Sequence, residues 1–246
     1  MTRLFSLLLF KTVVAGPLLA STEASPDYSV YAELLDRYVT PDGVLYDQWF
    51  SNPNDLADLD DVLAEFAQVD YTQLEPNEAT AFLINLYNAA MIAAVFDHYP
   101  LDSVRSIGLL PFSIFRRDFI ELNGEKVSLD EVEKGILLEE FGDPRIHFAV
   151  NCASESCPAL RGEPFTGDAL DAQMDEQTRL FANGPHAAKV SLEEESTAYS
   201  ELFKWYDADF PGDDPATYLN QYRDDPLPEG FSVEWIPYDW ALNSTS

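Results

Sequence analysis

The chain predicts an α+β fold: a helical N-terminal half around one long buried helix, packed on a small, mostly antiparallel sheet. Three observations carry this. Residues 76–96 form a run that is apolar nearly all round, long enough for several helical turns and fit only for an interior. The segments before it carry apolar residues at helical spacing. After it come short extended runs, two of them joined by Asn123-Gly124, a strong hairpin signal. Helices first and separated strands later is the α+β order.

Taken in order, residues 28–38 place Tyr31, Leu34, Leu35 and Tyr38 on one helical face, Asp42-Gly43 makes a turn, and residues 44–46 are short and extended. Residues 56–66 form a second helix with Leu59, Val62, Leu63 and Phe66 inward. Pro76 suits the first turn of the long helix, Glu78 its positive end, and Pro100 stops it. Glu78, Asn85 and Asn88 fall along one face of that helix. A buried amide is costly unless paired, so the asparagines either brace a neighbouring backbone or line a site. Residues 119–122 and 125–127 are the hairpin strands. Ser128-Leu129-Asp130-Glu131 is a capping box that opens a helix ending at Phe141-Gly142. Residues 146–150 read as a buried strand, 167–182 as a helix, 189–192 as a strand, 200–210 and 215–222 as helices, and 231–240 as a strand and then an aromatic closing segment. No repeat or linker divides the chain, so residues 25–246 are expected to be a single domain.

A formal charge of −30 argues strongly against nucleic acid and against anionic membrane surfaces as partners. Only five lysines accompany 44 acidic residues, a balance that suits a solvated surface in high salt. Residues 1–24 have the order of a secretory leader: Arg3, then two apolar runs, then small residues at Ala20 and Ala24. Lys11 and Gly16-Pro17 interrupt it, which disfavours an anchor, and no membrane span is expected after it is removed. The expected localisation is therefore secreted or periplasmic, in an oxidising compartment.

Both cysteines and one of the three histidines lie in the stretch His147-Phe-Ala-Val-Asn151-Cys152-Ala-Ser-Glu-Ser-Cys157-Pro158-Ala-Leu-Arg161. A thiol nucleophile needs a lowered pKa and a nearby base, which makes Cys157, His147 and Cys152 the catalytic candidates. His147 and Cys152 are five apart and would face opposite ways on a continuous strand. A turn could return Cys157 to His147, and Pro158 would suit a helix start there, so Cys157 is the favoured nucleophile. The alternative is a Cys152–Cys157 disulfide closing a small loop. The chain has no HxxxH, CxxC or HExxH, so no metal is expected, and it has neither a Gly-x-Ser-x-Gly nor a Gly-rich phosphate loop. No cofactor is expected. Between residues 105 and 161 seven basic residues face ten acidic ones, whereas the rest of the chain has seven against 34. Arg116, Arg117, Arg145 and Arg161 could hold a carboxylate, with Asn85, Asn88 and Asn151 as further ligand-binding candidates. The alternative for the arginines is internal ion pairing to Asp118, Asp143 and Asp239.

Four segments, in order over most of the chain, carry a resemblance: Ala81-Phe-Leu-Ile-Asn-Leu-Tyr-Asn-Ala89, Asp143-Pro-Arg-Ile-His147 continuing to Cys157-Pro158, Phe203-Lys-Trp-Tyr206, and Tyr238-Asp-Trp-Ala-Leu-Asn243. With them the chain resembles the domain of unknown function 547 family. The resemblance implies a bacterial exported member made of a leader and one domain, with an analogy to papain-type or transglutaminase-type thiol folds. The function expected from the residues is a cysteine-centred amide hydrolase or acyl transferase acting on a peptide-like or carboxylate-bearing small molecule. The alternative is a non-catalytic binding or scaffold domain stapled by the disulfide. The oligomeric state is left open.

Overall fold

The computed structural model describes residues 26–212 and 214–245, so the leader expected over residues 1–24 lies outside the described residues. The fold is α+β with a long buried helix at its centre. Helix α1 (Ser29–Tyr38) turns its buried face inward through Tyr31, Leu34, Leu35 and Tyr38. A minimal hairpin of β1 (Val39–Thr40) and β2 (Gly43–Val44) follows. Next come α2 (Tyr46–Phe50) and α3 (Pro53–Phe66), the latter opened by a proline that needs no hydrogen-bond partner there.

Helix α4 (Pro76–Phe96) runs through the middle, and sixteen of its 21 residues are buried. Its main packing partners are α3, a wide π-type helix (Glu131–Phe141) and the 3₁₀ turn at Tyr71–Gln73. By length and apolar character alone this helix could cross a membrane, but 89% of its most apolar window is buried inside the protein. It is a core helix, and that core is what its apolar circumference is for.

Short helix α5 (Ser113–Arg116) precedes the hairpin of β3 (Ile120–Leu122) and β4 (Glu125–Val127). Asn123 and Gly124 both take positive φ, as a tight hairpin turn demands. The Ser128 hydroxyl caps the Glu131 N–H, and the π-type helix spans Glu131–Phe141.

Residues 146–150 correct the sequence expectation. They form a helical turn, α6 (Ile146–Ala149), closed by Phe148 N–H to Arg145 O and Val150 N–H to Ile146 O. The apolar run arises because two apolar clusters meet there. Ile146 and Ala149 belong to the cluster around α4, and Phe148 to a second one with Phe181, Phe203, Phe210 and Tyr218. A short run buried on all sides has the same composition whether strand or helix.

Helix α7 (Leu170–Asn183) starts three residues later than expected. The three-stranded sheet is β5 (Ala188–Ser191), β6 (Ser196–Ser200) and β7 (Ser232–Ile236), with β5 antiparallel and β7 parallel to β6. The helix expected over 200–210 is broken. It becomes the end of β6, α8 (Leu202–Trp205) and a 3₁₀ turn at Asp207–Asp209, and then α9 (Pro215–Leu219) begins. The break matters because it carries Asp209 back to His147.

Candidate functional site

A polar stripe on α4 threads the thiol segment into place. The Asn88 amide donates to Ala149 O at 3.0 Å and its oxygen accepts from Asn151 N–H at 2.8 Å. One face position earlier, Asn85 does the same for both backbone groups of Phe165, at 2.8 and 2.9 Å. Glu78 accepts from Gly167 N–H at 2.8 Å. The fit is close: a Cβ on Gly167 would stand 2.9 Å from the Glu78 backbone nitrogen. The stripe thus grips a single segment at 149–151, 165 and 167, and the cysteines lie between the grips. Asn85 and Asn88 are therefore spent on backbone, the brace rather than the ligand-binding alternative.

Asn151 is equally committed. Its amide donates to Pro158 O at 2.8 Å across the loop, and its oxygen accepts from Ala153 N–H at 2.9 Å and from the Asn243 amide at 3.3 Å. The loop turns at Ala153, which has a left-handed φ of 56°. It is closed by Cys157 N–H to Ser154 O. The closing segment of the chain lies against it, with Glu155 N–H bonded to Ala241 O and Ser156 N–H to Asp239 O. No helix starts at Pro158, so the dipole expected to activate Cys157 is absent.

Both cysteines are free and half-buried. Cys152 N–H donates to Cys157 Sγ at 2.9 Å, while Cys152 Sγ lies 2.9 Å from Ser154 Oγ and 3.4 Å from the Tyr238 hydroxyl. Burial opposes ionisation of Cys152, but hydrogen bonds from Cys157, Ser154 and Tyr238 outweigh it and bring this thiol below its ordinary value. Burial and the neighbouring Cys152 hold Cys157 well above. The two sulfurs share one site for negative charge, and the donors gather at Cys152.

His147 and both cysteines open on one cavity of about 640 Å³. Among the described residues His147 hydrogen-bonds neither sulfur. Its Nε2 is 2.9 Å from the carboxylate of Asp209, itself at the surface. That carboxylate can only accept, which puts the proton on Nε2 and leaves Nδ1 as the basic nitrogen. Burial lowers the His147 pKa below 6.5 despite the opposing pull of Glu133 and Asp209, so the ring is neutral at neutral pH. Tyr206 covers it, ring centres 4.2 Å apart, and donates to buried Glu133 at 2.9 Å. Much of the cavity lining is aromatic, from Phe112, Phe115, Trp205, Tyr238 and Trp240.

Of the arginines, only Arg116 lines this cavity, and it has no carboxylate partner among the described residues. Arg117 lies over the Phe119 ring at 5.2 Å. Arg145 is held by Asp143, Asp171 and Asp175 at 2.7 to 2.8 Å, and Arg161 pairs with Glu163 and Glu176. These two clasp the fold, as the ion-pairing alternative had it, although only Asp143 was among the partners expected. The sequence reading missed Glu133, Asp209, Ser154, Tyr206 and Tyr238. Glu133 carried a signal, a carboxylate among Val132, Ile136 and Leu137 on the inward side of its helix. Tyr206 and Tyr238 stood in the resemblance segments without a role. Nothing local marks Asp209.

Residues 71–182 match the family described as Protein of unknown function, DUF547. The matched stretch contains α4, its polar stripe and the whole thiol loop. No curated protein and no solved structure matches the chain.

Proposed function

Because the chain belongs, through residues 71–182, to the DUF547 family, whose description assigns no activity, we propose a function from the site itself: acyl transfer or amide hydrolysis by a cysteine. The observation that carries this reading is Cys152. Its thiol is lowered by three hydrogen bonds and opens on an aromatic cavity shared with a neutral histidine. His147 takes the Cys152 thiol proton as the sulfur attacks the substrate carbonyl, and hands it to the leaving amine as the C–N bond breaks, so that a thioester forms. Water or a second nucleophile then releases the acyl group, with His147 as the base that takes the attacking proton. Cys157 stays a thiol and donates to Cys152, a reversal of the roles expected from spacing. Arg116 at the mouth suits a peptide-like substrate that bears a carboxylate. We also propose, from the leader-like order of residues 1–24, that the protein is exported and that its mature chain begins near Ala20 or Ala24, which N-terminal sequencing of exported material would test.

The test is alkylation by iodoacetamide in the presence of reductant. Wild type should react faster than a free thiol near neutral pH, and Cys152→Ser should abolish the excess. Tyr238→Phe should raise the reactive pKa by about one unit, the size of one lost hydrogen bond to a charged group. Unenhanced alkylation in wild type would remove the catalytic reading and leave a non-catalytic binding domain.

A further inference from the structure

Between two buried anchors, Ile107 and Ile114, the chain loops out of the protein. Gly108, at φ 94°, makes the exit. At the tip Leu109 is 101% exposed and Leu110 66%, with exposed Pro111 beside them. Scattered exposed leucines are ordinary, but these adjoin further apolar surface. Phe112 meets Trp240 edge-on at 4.7 Å, and Trp240 stacks on half-exposed Trp205 at 5.8 Å. The result is one apolar rim that continues into the cavity mouth.

Charge reverses along the segment that bears this tip. Residues 101–119 carry Arg105, Arg116 and Arg117, all exposed, against Asp102 and Asp118, in a chain with 14 basic and 44 acidic residues. The Arg105 guanidinium lies over the Phe112 ring at 5.1 Å, beside the leucine tip. We infer that this rim docks on an anionic lipid surface, with Leu109 and Leu110 entering the acyl layer and the three arginines meeting the headgroup phosphates. The tip protrudes, and the Arg105 guanidinium beside it, with exposed Arg116 and Arg117 on the same segment, suits a plane of phosphates. A net charge of −30 opposes such contact for the surface at large. Screening confines that repulsion to within about 8 Å at physiological salt, so the local patch governs the approach. Docking turns the cavity mouth towards the bilayer and makes an amphiphile its natural visitor. The inference does not depend on the thiol chemistry.

The test is co-sedimentation of the full chain with vesicles of phosphatidylglycerol mixed into phosphatidylcholine, and with phosphatidylcholine alone, at about 0.15 M salt. Binding is expected to the anionic vesicles only, with a blue shift of tryptophan emission from Trp205 and Trp240. Leu109→Ser/Leu110→Ser should weaken binding by at least about tenfold, since two leucines lose their apolar burial. Arg105→Gln/Arg117→Gln should weaken it comparably. Both double variants should keep the wild-type rate of thiol alkylation in solution, which shows that they fold. No binding to anionic vesicles, or unchanged binding in both variants, would overturn the inference. So would lipid-free self-association that the leucine variant abolishes, because a second copy would then be what covers the rim.

Discussion

A buried imidazole paired with an exposed carboxylate binds protons differently from the unfolded chain. Burial keeps the folded pKa of His147 below 6.5, so as pH falls through that value the unfolded chain takes up the proton first. The stability this group supplies is complete above 6.5 and is lost as pH falls towards its folded pKa. Chemical denaturation of wild type should therefore show a midpoint that drops on acidification through this window, and His147→Gln should flatten that slope. Asp55 and Glu163 titrate lower, because Arg37 and Arg161 hold their carboxyls down, so their contribution sits in a separate and more acidic range. At this scale the sequence marked candidate residues but not how they pair. His147, Cys152 and Cys157 stood out as nucleophile and base types. The partner of the histidine, Asp209, lies 62 positions away and is indistinguishable from dozens of surface carboxylates until the chain is folded.

Helix α4 was the most legible element, because a long apolar run opened by Pro76 has no other stable use in water. The spacing of its three polar residues also announced a single face, and the structure shows what the face holds. Asn88 links α4 to the backbone on both sides of Val150, so Asn88→Leu leaves Ala149 O and Asn151 N–H unpaired in the interior. The cost should be about 1–3 kcal/mol in denaturant unfolding. Because Asn151 positions the loop, alkylation of Cys152 should slow in the same variant even where it remains folded. The 123–124 hairpin was legible for a local reason, its turn residues. The α6 turn and the break after Ser200 were not, since both are set by contacts between the two apolar clusters rather than by neighbours in sequence. The parallel pairing of β6 with β7 was hidden likewise, as only a distant segment decides it.

Over the whole molecule, the net charge adds a repulsion that no single residue reveals. At −30 the folded surface repels itself, and salt relieves this by shortening the screening length from about 10 Å at 0.1 M to about 3 Å at 1 M. The thermal midpoint should rise across that range, and a fall would mean that the ion pairs of Arg145 and Arg161 outweigh the repulsion. The architecture has a further consequence for assembly in time. The loop that bears the cysteines leans on Asp239 and Ala241, and Ser156 accepts a hydrogen bond from a residue made 83 positions later. Asn243 joins at a still greater distance, 92 positions from Asn151. A chain emerging from its N-terminus can bury α4 early, yet the sulfurs wait without their brace through the synthesis of everything between. During that interval they are ordinary unshielded thiols, and whether they stay free or join to each other is decided before the last brace arrives.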